Sequence, residues 1–414
     1  MGEVGLTRRS FSLGGAALIA TPAFAARPAQ IQTGLDRLIA GEGANNRGHK
    51  VALLTHAGAR DAKGRRSVDA VAGIAGLELT ALLSPEHGLS GSAAAGEHVA
   101  DARDAATGLP VYSLYGARRA PPPELLRQID TVLIDLQDIG LRCFTYAATM
   151  SDVMRAAAKQ GVRVMVLDRP NPLGGLKIDG PLMDPALASP VGALPTPFRH
   201  GLTLGELAGL IQANERLELD LSVLPMRGWT PAMGSTVFGK GQLPFTPPSP
   251  NLRSPGAVLA YAASVLLEGC NVSEGRGTAR PFETLGAPWC DGPALARALS
   301  ALRLPGVRFS PLRFTPTSSK HAGQTCSGIR FVVLDETRYD PLLTGLSIVA
   351  ALRRLHPQDF TFLLGERPFF DLLIGQSWVR EALLLAEPAK AIVQRWQGDA
   401  DRFRRLVPRF RIYS

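Results

Sequence analysis

Glu86 stands in the string Ser84-Pro85-Glu86-His87-Gly88, at the carboxyl end of an apolar run. Fixed between Pro85 and His87-Gly88, a partly desolvated carboxyl there can hold a proton and serve as a general acid. His87 is a partner for it or a donor to substrate. Asp138 and Asp168 are candidate second carboxylates, although either could instead orient an Arg or Tyr146. A second cluster runs from Glu268 to Thr278, where glycines let backbone approach a ligand and Asn271, Ser273 and Glu274 supply orienting hydrogen bonds. Arg276 in that cluster could clamp a substrate carboxylate with two parallel hydrogen bonds. Arg199-His200 and the segment 247–251, ending in Asn251, read as rim segments. Taken singly, each cluster is also what an ordinary turn or helix cap supplies.

The elements that must position these residues alternate. Val51–Leu54, Leu77–Leu83, Pro110–Leu114, Thr131–Ile134 and Val162–Leu167 read as strands. Ser67–Ile74, Pro122–Ile129 and Met150–Lys159 read as helices between them. Continuous Val, Ile and Leu runs separated by helices imply an α/β fold, a doubly wound parallel sheet covered on both faces. Four of the strands end in polar clusters: Thr55-His56, Ser84 to Gly88, Asp135 to Asp138, and Asp168-Arg169-Pro170-Asn171. Ligands of open parallel sheets bind outside the carboxyl ends of the strands, so these four clusters are expected to converge on one site. Thr203-Leu204-Gly205-Glu206 is a capping box that opens a helix through Ala213. Leu221–Pro225, Val307–Phe314 and Ile329–Leu334 are expected strands, and Gly256–Leu267, Leu343–Leu355 and the tail from Ser377 are expected helices. The domain boundary is placed near residue 200, giving units 31–200 and 201–414.

The chain has 414 residues, 45% hydrophobic and 20% charged, which suits two globular domains with real cores and excludes wholesale disorder. Its net charge is +9, but the basic residues are scattered rather than clustered with aromatics, so no nucleic-acid partner is expected. The first 25 residues read as an export signal. Arg8-Arg9 precedes Phe11, a short apolar stretch runs through Ala20, and Ala23-Phe24-Ala25 is a small-residue cleavage site. The paired arginines mark it as a twin-arginine signal, which implies a periplasmic or secreted protein. Beyond it no apolar run reaches the length of a membrane span. Cys143, Cys270, Cys290 and Cys326 form no CxxC and lack zinc-ligand spacing, so buried free thiols are expected and no metal. Neither GxGxxG after the first strand nor GxxxxGK[ST], GxSxG or HExxH occurs, which argues against dinucleotide, nucleoside triphosphate, α/β-hydrolase and zincin chemistry.

Several strings together resemble the exo-β-N-acetylmuramidases of the NamZ (YbbC-like) family. They are SPEHG at 84–88, VYSLYG at 111–116, DLQDIG at 135–140, FTY at 144–146, DRPNPLGG at 168–175, RHGLT at 199–203, PPSPN at 247–251 and EGCNVSEGRGT at 268–278. They occur in family order and span essentially the whole chain after the signal. The departures are Cys143 and Cys270, where other small or aromatic residues are usual. The resemblance implies a glycosidase that releases N-acetylmuramic acid from the non-reducing end of peptidoglycan fragments. It also implies a Rossmann-like domain, a smaller α/β domain, and a cleft between them.

On that reading Glu86 is the general acid/base, with His87 and Asp138 as its catalytic companions. Tyr146, Asp168, Arg169, Asn171, Arg199, His200, Asn251, Asn271, Glu274 and Arg276 would hold the sugar, and no cofactor is needed. A second carboxylate or the substrate's own 2-acetamido group would complete the mechanism. Two rivals stay open at this stage: another cell-wall hydrolase such as an esterase or deacetylase, and a muropeptide-binding protein without catalysis.

Overall fold

The computed structural model describes residues 1–2, 30–43, 49–239 and 241–414. The export signal expected over residues 1–25 falls outside them, apart from its first two residues. Among the described residues no helix is long and apolar enough to cross a membrane.

Strands β1 (His49–Thr55), β2 (Leu77–Ser84), β3 (Ala102–Arg103), β4 (Pro110–Ser113), β5 (Thr131–Asp135), β6 (Arg163–Leu167), β7 (Asp179–Leu182), β8 (Pro197–Arg199) and β9 (Leu221–Leu224) precede residue 225. Seven of them form one sheet in the order β3-β4-β2-β1-β5-β6-β9, while β7 and β8 pair separately. All neighbours in the sheet are parallel except the short edge strand β3, which runs antiparallel to β4. Counted in chain order, the six parallel strands lie third-second-first-fourth-fifth-sixth, the Rossmann arrangement, with the direction of winding reversing between β1 and β5.

The apolar runs explain this sheet. Successive residues of a strand point to opposite faces, so a strand buried on both must be apolar throughout. In β1, Ala52 and Leu54 join the core that holds Met150, Val153 and Met154 of the helix Tyr146–Gln160. Val51 and Leu53 join a second core with Leu35, Val68 and Val71 on the other face.

The sheet does not stop at residue 200. The helix Leu204–Glu215 and strand β9 follow, and β9 pairs with β6, so the first unit extends past the boundary drawn there. Thr203 opens that helix with the expected reciprocal box: its hydroxyl accepts from the Glu206 amide, and the Glu206 carboxylate accepts from the Thr203 amide at 3.0 Å. Three helices are shorter than their sequence patterns, Ser67–Ile74 by its last two residues. Pro122–Ile129 reduces to Pro123–Leu126, because the Asp130 amide already bonds to Lys50 O at the start of the central strand β1. Pro255–Ser264 passes into 3₁₀ turns at Val265–Gly269, where Gly269 packs so closely on Phe370 that a Cβ would lie 2.5 Å from its backbone.

The second unit contains an antiparallel sheet of β10 (Thr284–Ala287), β11 (Val307–Phe314) and β12 (Cys326–Val333), in the order β10-β12-β11. Helices Pro255–Ser264, Gly292–Ala301 and Pro341–Leu355 surround it, and shorter helices from Phe369 to Leu406 complete the chain. The two units share one hydrophobic core, which contains Leu54 and Ile134 of the large sheet together with Phe331, Leu346 and Phe370. The four cysteines are buried and free, as the sequence implies.

The last residues return to the first unit. The Arg411 guanidinium donates to the carbonyls of Gly175 and Gly201, each at 2.6 Å, and reaches Glu206 at 3.3 Å. The Ile412 amide donates to Glu206 at 3.0 Å. The Tyr413 hydroxyl donates to Asp168 at 2.7 Å and accepts from the Met226 amide at 2.8 Å.

Candidate active site

Strand β2 ends at Ser84, and the chain turns sharply at His87 and Gly88, both in the left-handed region with φ of 73° and 74°. A non-glycine residue held there is uncommon, and here the loop that follows pins it: His87 Nδ1 meets Ala93 O at 2.9 Å. The turn aims Glu86 into a cleft of about 750 Å³ that both units line. Glu86 is 8% exposed. Its carboxylate accepts from the Gly96 amide at 2.9 Å and from the Thr145 hydroxyl at 2.8 Å. The Tyr115 hydroxyl also bonds to it, and burial, with the Glu86 charge second, pushes that phenol up to about 12. Thr145 immediately precedes the helix Tyr146–Gln160 and spends its hydroxyl on Glu86 rather than on capping the helix.

The opposite wall carries the second cluster. Arg276 lies 2.5 Å from Glu268 and 3.0 Å from Glu274, with its guanidinium 5.0 Å from the centre of the Phe282 ring. Lys320 pairs with Glu274 at 2.9 Å and donates to the carbonyls of Leu267 and Cys270. Two acids and two bases therefore neutralise one another. Burial raises the Glu268 carboxyl, opposed by Arg276 and reinforced by Glu274. Arg276 is thus not the open carboxylate clamp that its sequence position suggests. Asn271 is absent from the cleft lining: its amide group ties the loop to Asp359 O at 2.7 Å and to the Thr361 amide at 2.9 Å. Asn251 does line the cleft, and among the described residues its side chain has no hydrogen-bond partner.

The remaining expected ligands converge, but on a buried network instead of the cleft. The guanidinium of Arg169 makes a two-pronged pair with Asp135 at 2.5 and 2.8 Å. Asp168 accepts from Thr203 at 2.7 Å, from Gly205 at 2.9 Å and from Tyr413. Asn171 donates to Leu202 O at 2.9 Å and accepts from Leu173 N at 2.9 Å, while Arg199 donates to Leu173 O. The Tyr146 hydroxyl donates to Pro248 O at 2.7 Å and lies 3.3 Å from His56. None of these side chains lines the cleft. The reason lies at the point where the winding reverses, between β1 and β5. The 247–248 segment covers it, and a void of only about 20 Å³ remains beside Gln137 and Arg169. The open site is displaced to the exit of β2.

Asp138 and His200 face each other inside this network. The imidazole accepts from the Leu202 amide through Nδ1, which leaves the proton on Nε2, 3.9 Å from Asp138. Burial pushes His200 down to about 3 and Asp138 up to about 7, the latter opposed by the Gly140 and Ile139 amides. Asp138 is therefore a buried turn acid and not the second carboxylate of the cleft. Since its proton is held more tightly folded than unfolded, the stability it contributes is complete below about pH 4 and is lost as pH rises towards 7. Asp168, which burial pushes up to about 6, acts in the same sense. Asp138→Asn should flatten the fall in unfolding free energy between pH 4 and 7 by about 3–4 kcal/mol, read by urea titration at each pH. An unchanged slope would refute the assignment.

Tyr115, Thr145, Glu268, Lys320 and Arg367 line the cleft without having been singled out from sequence. Tyr115 and Thr145 lie inside the VYSLYG and FTY strings, and Glu268 opens the EGCNVSEGRGT string. Lys320 and Arg367 stand in no motif. A more voluminous apolar groove, about 1200 Å³, lies on the second unit; its one carboxylate, Glu387, is paired with Arg395 at 2.9 Å.

Family models for the N-terminal and C-terminal domains of the exo-beta-N-acetylmuramidase NamZ match residues 51–256 and 259–413. The chain is 39% identical over 388 residues to the peptidoglycan beta-N-acetylmuramidase NamZ of Bacillus subtilis (strain 168), covering 94% of this chain and 92% of that protein. A crystal structure of a DUF1343 family protein from Bacteroides fragilis NCTC 9343 superposes with a TM-score of 0.85 at 33% identity, covering 94% of this chain and all of the other. A second DUF1343 family structure from the same organism has a TM-score of 0.74 at 28% identity, over 93% of this chain.

Proposed function

The chain belongs to the NamZ family of exo-β-N-acetylmuramidases, glycoside hydrolases of peptidoglycan, and on that premise we propose that Glu86 is its general acid and base. One observation carries this reading. Among the described residues, Glu86 is the only carboxyl in the cleft wall without a basic partner: Glu268 and Glu274 are both committed to Arg276. In the first step the Glu86 carboxyl gives its proton to the glycosidic oxygen as the bond to the anomeric carbon breaks. In the second it takes a proton from the incoming water. Gly96, Thr145 and Tyr115 hold the carboxylate in place between the steps. With the other two acids engaged, the group left to attack the anomeric carbon is the sugar's own 2-acetamido oxygen, as in the substrate-assisted glycosidases.

The test is release of N-acetylmuramic acid from the β-linked MurNAc–GlcNAc disaccharide by purified protein in the presence of a chelator. The reversed disaccharide, GlcNAc–MurNAc, should remain intact. Cleavage of the reversed isomer alone would overturn the reading. We also propose that the protein is exported through its twin-arginine segment and cut after Ala25. Protein recovered from the periplasm or medium should begin at Ala26; an intact N-terminus on cytoplasmic protein would refute this.

A further inference from the structure

The cleft needs a ligand for the negative charge of its substrate, and the cation expected for that work is already neutralised. Three basic side chains line the wall: Arg276, Lys320 and Arg367. The first two are balanced by Glu268 and Glu274. Arg367 has no carboxylate partner among the described residues. It is exposed on the loop before the helix Phe369–Ile374, and among the described residues its side chain makes one hydrogen bond, from Nη1 to Ala188 O at 3.2 Å. Ser189, Pro190 and Val191, which follow Ala188, line the cleft as well. Arg367 thus reaches from the second unit to a loop of the first and spans one side of the opening. A guanidinium has five N–H donors in a planar fork, so one bond to a carbonyl leaves a pair free for a carboxylate.

N-Acetylmuramic acid differs from N-acetylglucosamine by a lactyl ether that ends in a carboxylate. We propose that Arg367 binds this carboxylate and is the residue that makes the cleft select the acidic sugar over the neutral one. Setting aside the neutral quartet, the remaining Asp, Glu, Lys and Arg side chains of the wall are Glu86 and Arg367, one for the leaving oxygen and one for the lactyl group. The inference rests on the sugar occupying the Glu86 cleft.

Replacing Arg367 with Gln should raise KM for MurNAc–GlcNAc by about 10- to 100-fold, with a smaller fall in kcat, because a hydrogen-bonded charge pair is lost from ground state and transition state alike. The discriminating probe is the same disaccharide with its lactyl carboxylate converted to the methyl amide. Wild-type protein should handle the amide as poorly as the Gln variant handles the acid, and the variant should no longer distinguish acid from amide. Arg367→Lys, which keeps the charge without the fork, should recover part of the preference. If the variant loses the same factor on acid and amide, Arg367 only braces the loop against Ala188 and the proposal fails. Binding of free N-acetylmuramic acid and N-acetylglucosamine, measured by calorimetry on both proteins, separates the two readings. A preference for the acid that depends on Arg367 without any turnover would sink the hydrolase assignment and leave the ligand assignment standing. Turnover with no dependence on Arg367 would do the reverse, and no binding of either sugar would overturn both.

Discussion

Glu86→Gln should cut kcat on MurNAc–GlcNAc by 10³-fold or more while KM changes little. The substitution keeps the shape of the side chain and one acceptor for the Gly96 amide or the Thr145 hydroxyl, so the fold and the sugar site persist. What disappears is the transferable proton, and general acid catalysis contributes about 10²- to 10⁴-fold. An alkoxide leaving from a sugar is so basic that the upper part of this range applies. The same argument supplies a control that separates loss of the acid from loss of structure. A MurNAc glycoside with a dinitrophenolate leaving group departs without protonation, so the variant should retain most of the rate of its first step on that substrate. Equal losses on both substrates would mean that Glu86 positions the sugar and another group carries the proton.

Asp135→Asn should cost about 3–5 kcal/mol of folding free energy, measured by denaturant titration. Asp135 is fully buried at the end of β5, and Arg169, 7% exposed at the end of β6, forks onto both its oxygens. Removing the negative partner leaves a guanidinium inside the protein with no counter-charge, which is far more costly than the pair was worth. For a protein whose whole stability lies near 5–15 kcal/mol, this is a large share. The double replacement Asp135→Leu with Arg169→Met removes both charges and should recover most of the loss. A single variant that loses under about 1 kcal/mol would show that water or another group reaches Arg169.

The sheet was legible because burial on both faces leaves no alternative to continuous apolar runs. Val51–Leu54, Thr131–Ile134 and Val162–Leu167 show it, and each has become a central parallel strand. The division near residue 200 was misplaced for the same reason in reverse. Strand β9, Leu221–Leu224, is an outer strand of the sheet with half-buried residues, so nothing in its composition ties it to β6. The place of Glu86, just past the end of β2 and in the cleft wall, is legible in its string. The polar residues after β5 and β6 share its composition but not its fate, since whether an Asp faces solvent or a protein donor depends on what covers it. Here the cover comes from elsewhere in the chain, the 247–248 segment over Tyr146 and residues 200–202 over Asp138 and Asn171, and Asp138, Arg169 and Asn171 are internal fastenings. Arg367 stayed invisible for the opposite reason. Arg367 is set apart by having no ion-pair partner among the described residues, even with Glu366 beside it, and a sequence does not display which charges pair.

The return of the last residues to the first unit has a consequence for how the chain is made. Asp168 stands at the end of β6, yet one of its hydrogen-bond donors is the hydroxyl of Tyr413, which is made 245 residues later. A ribosome that has not yet released residues 411–413 from its exit tunnel also holds back the side chains that satisfy this buried carboxylate and Glu206. The N-terminal sheet therefore waits for that segment to emerge before it can reach its final hydrogen bonding, however early its strands pair.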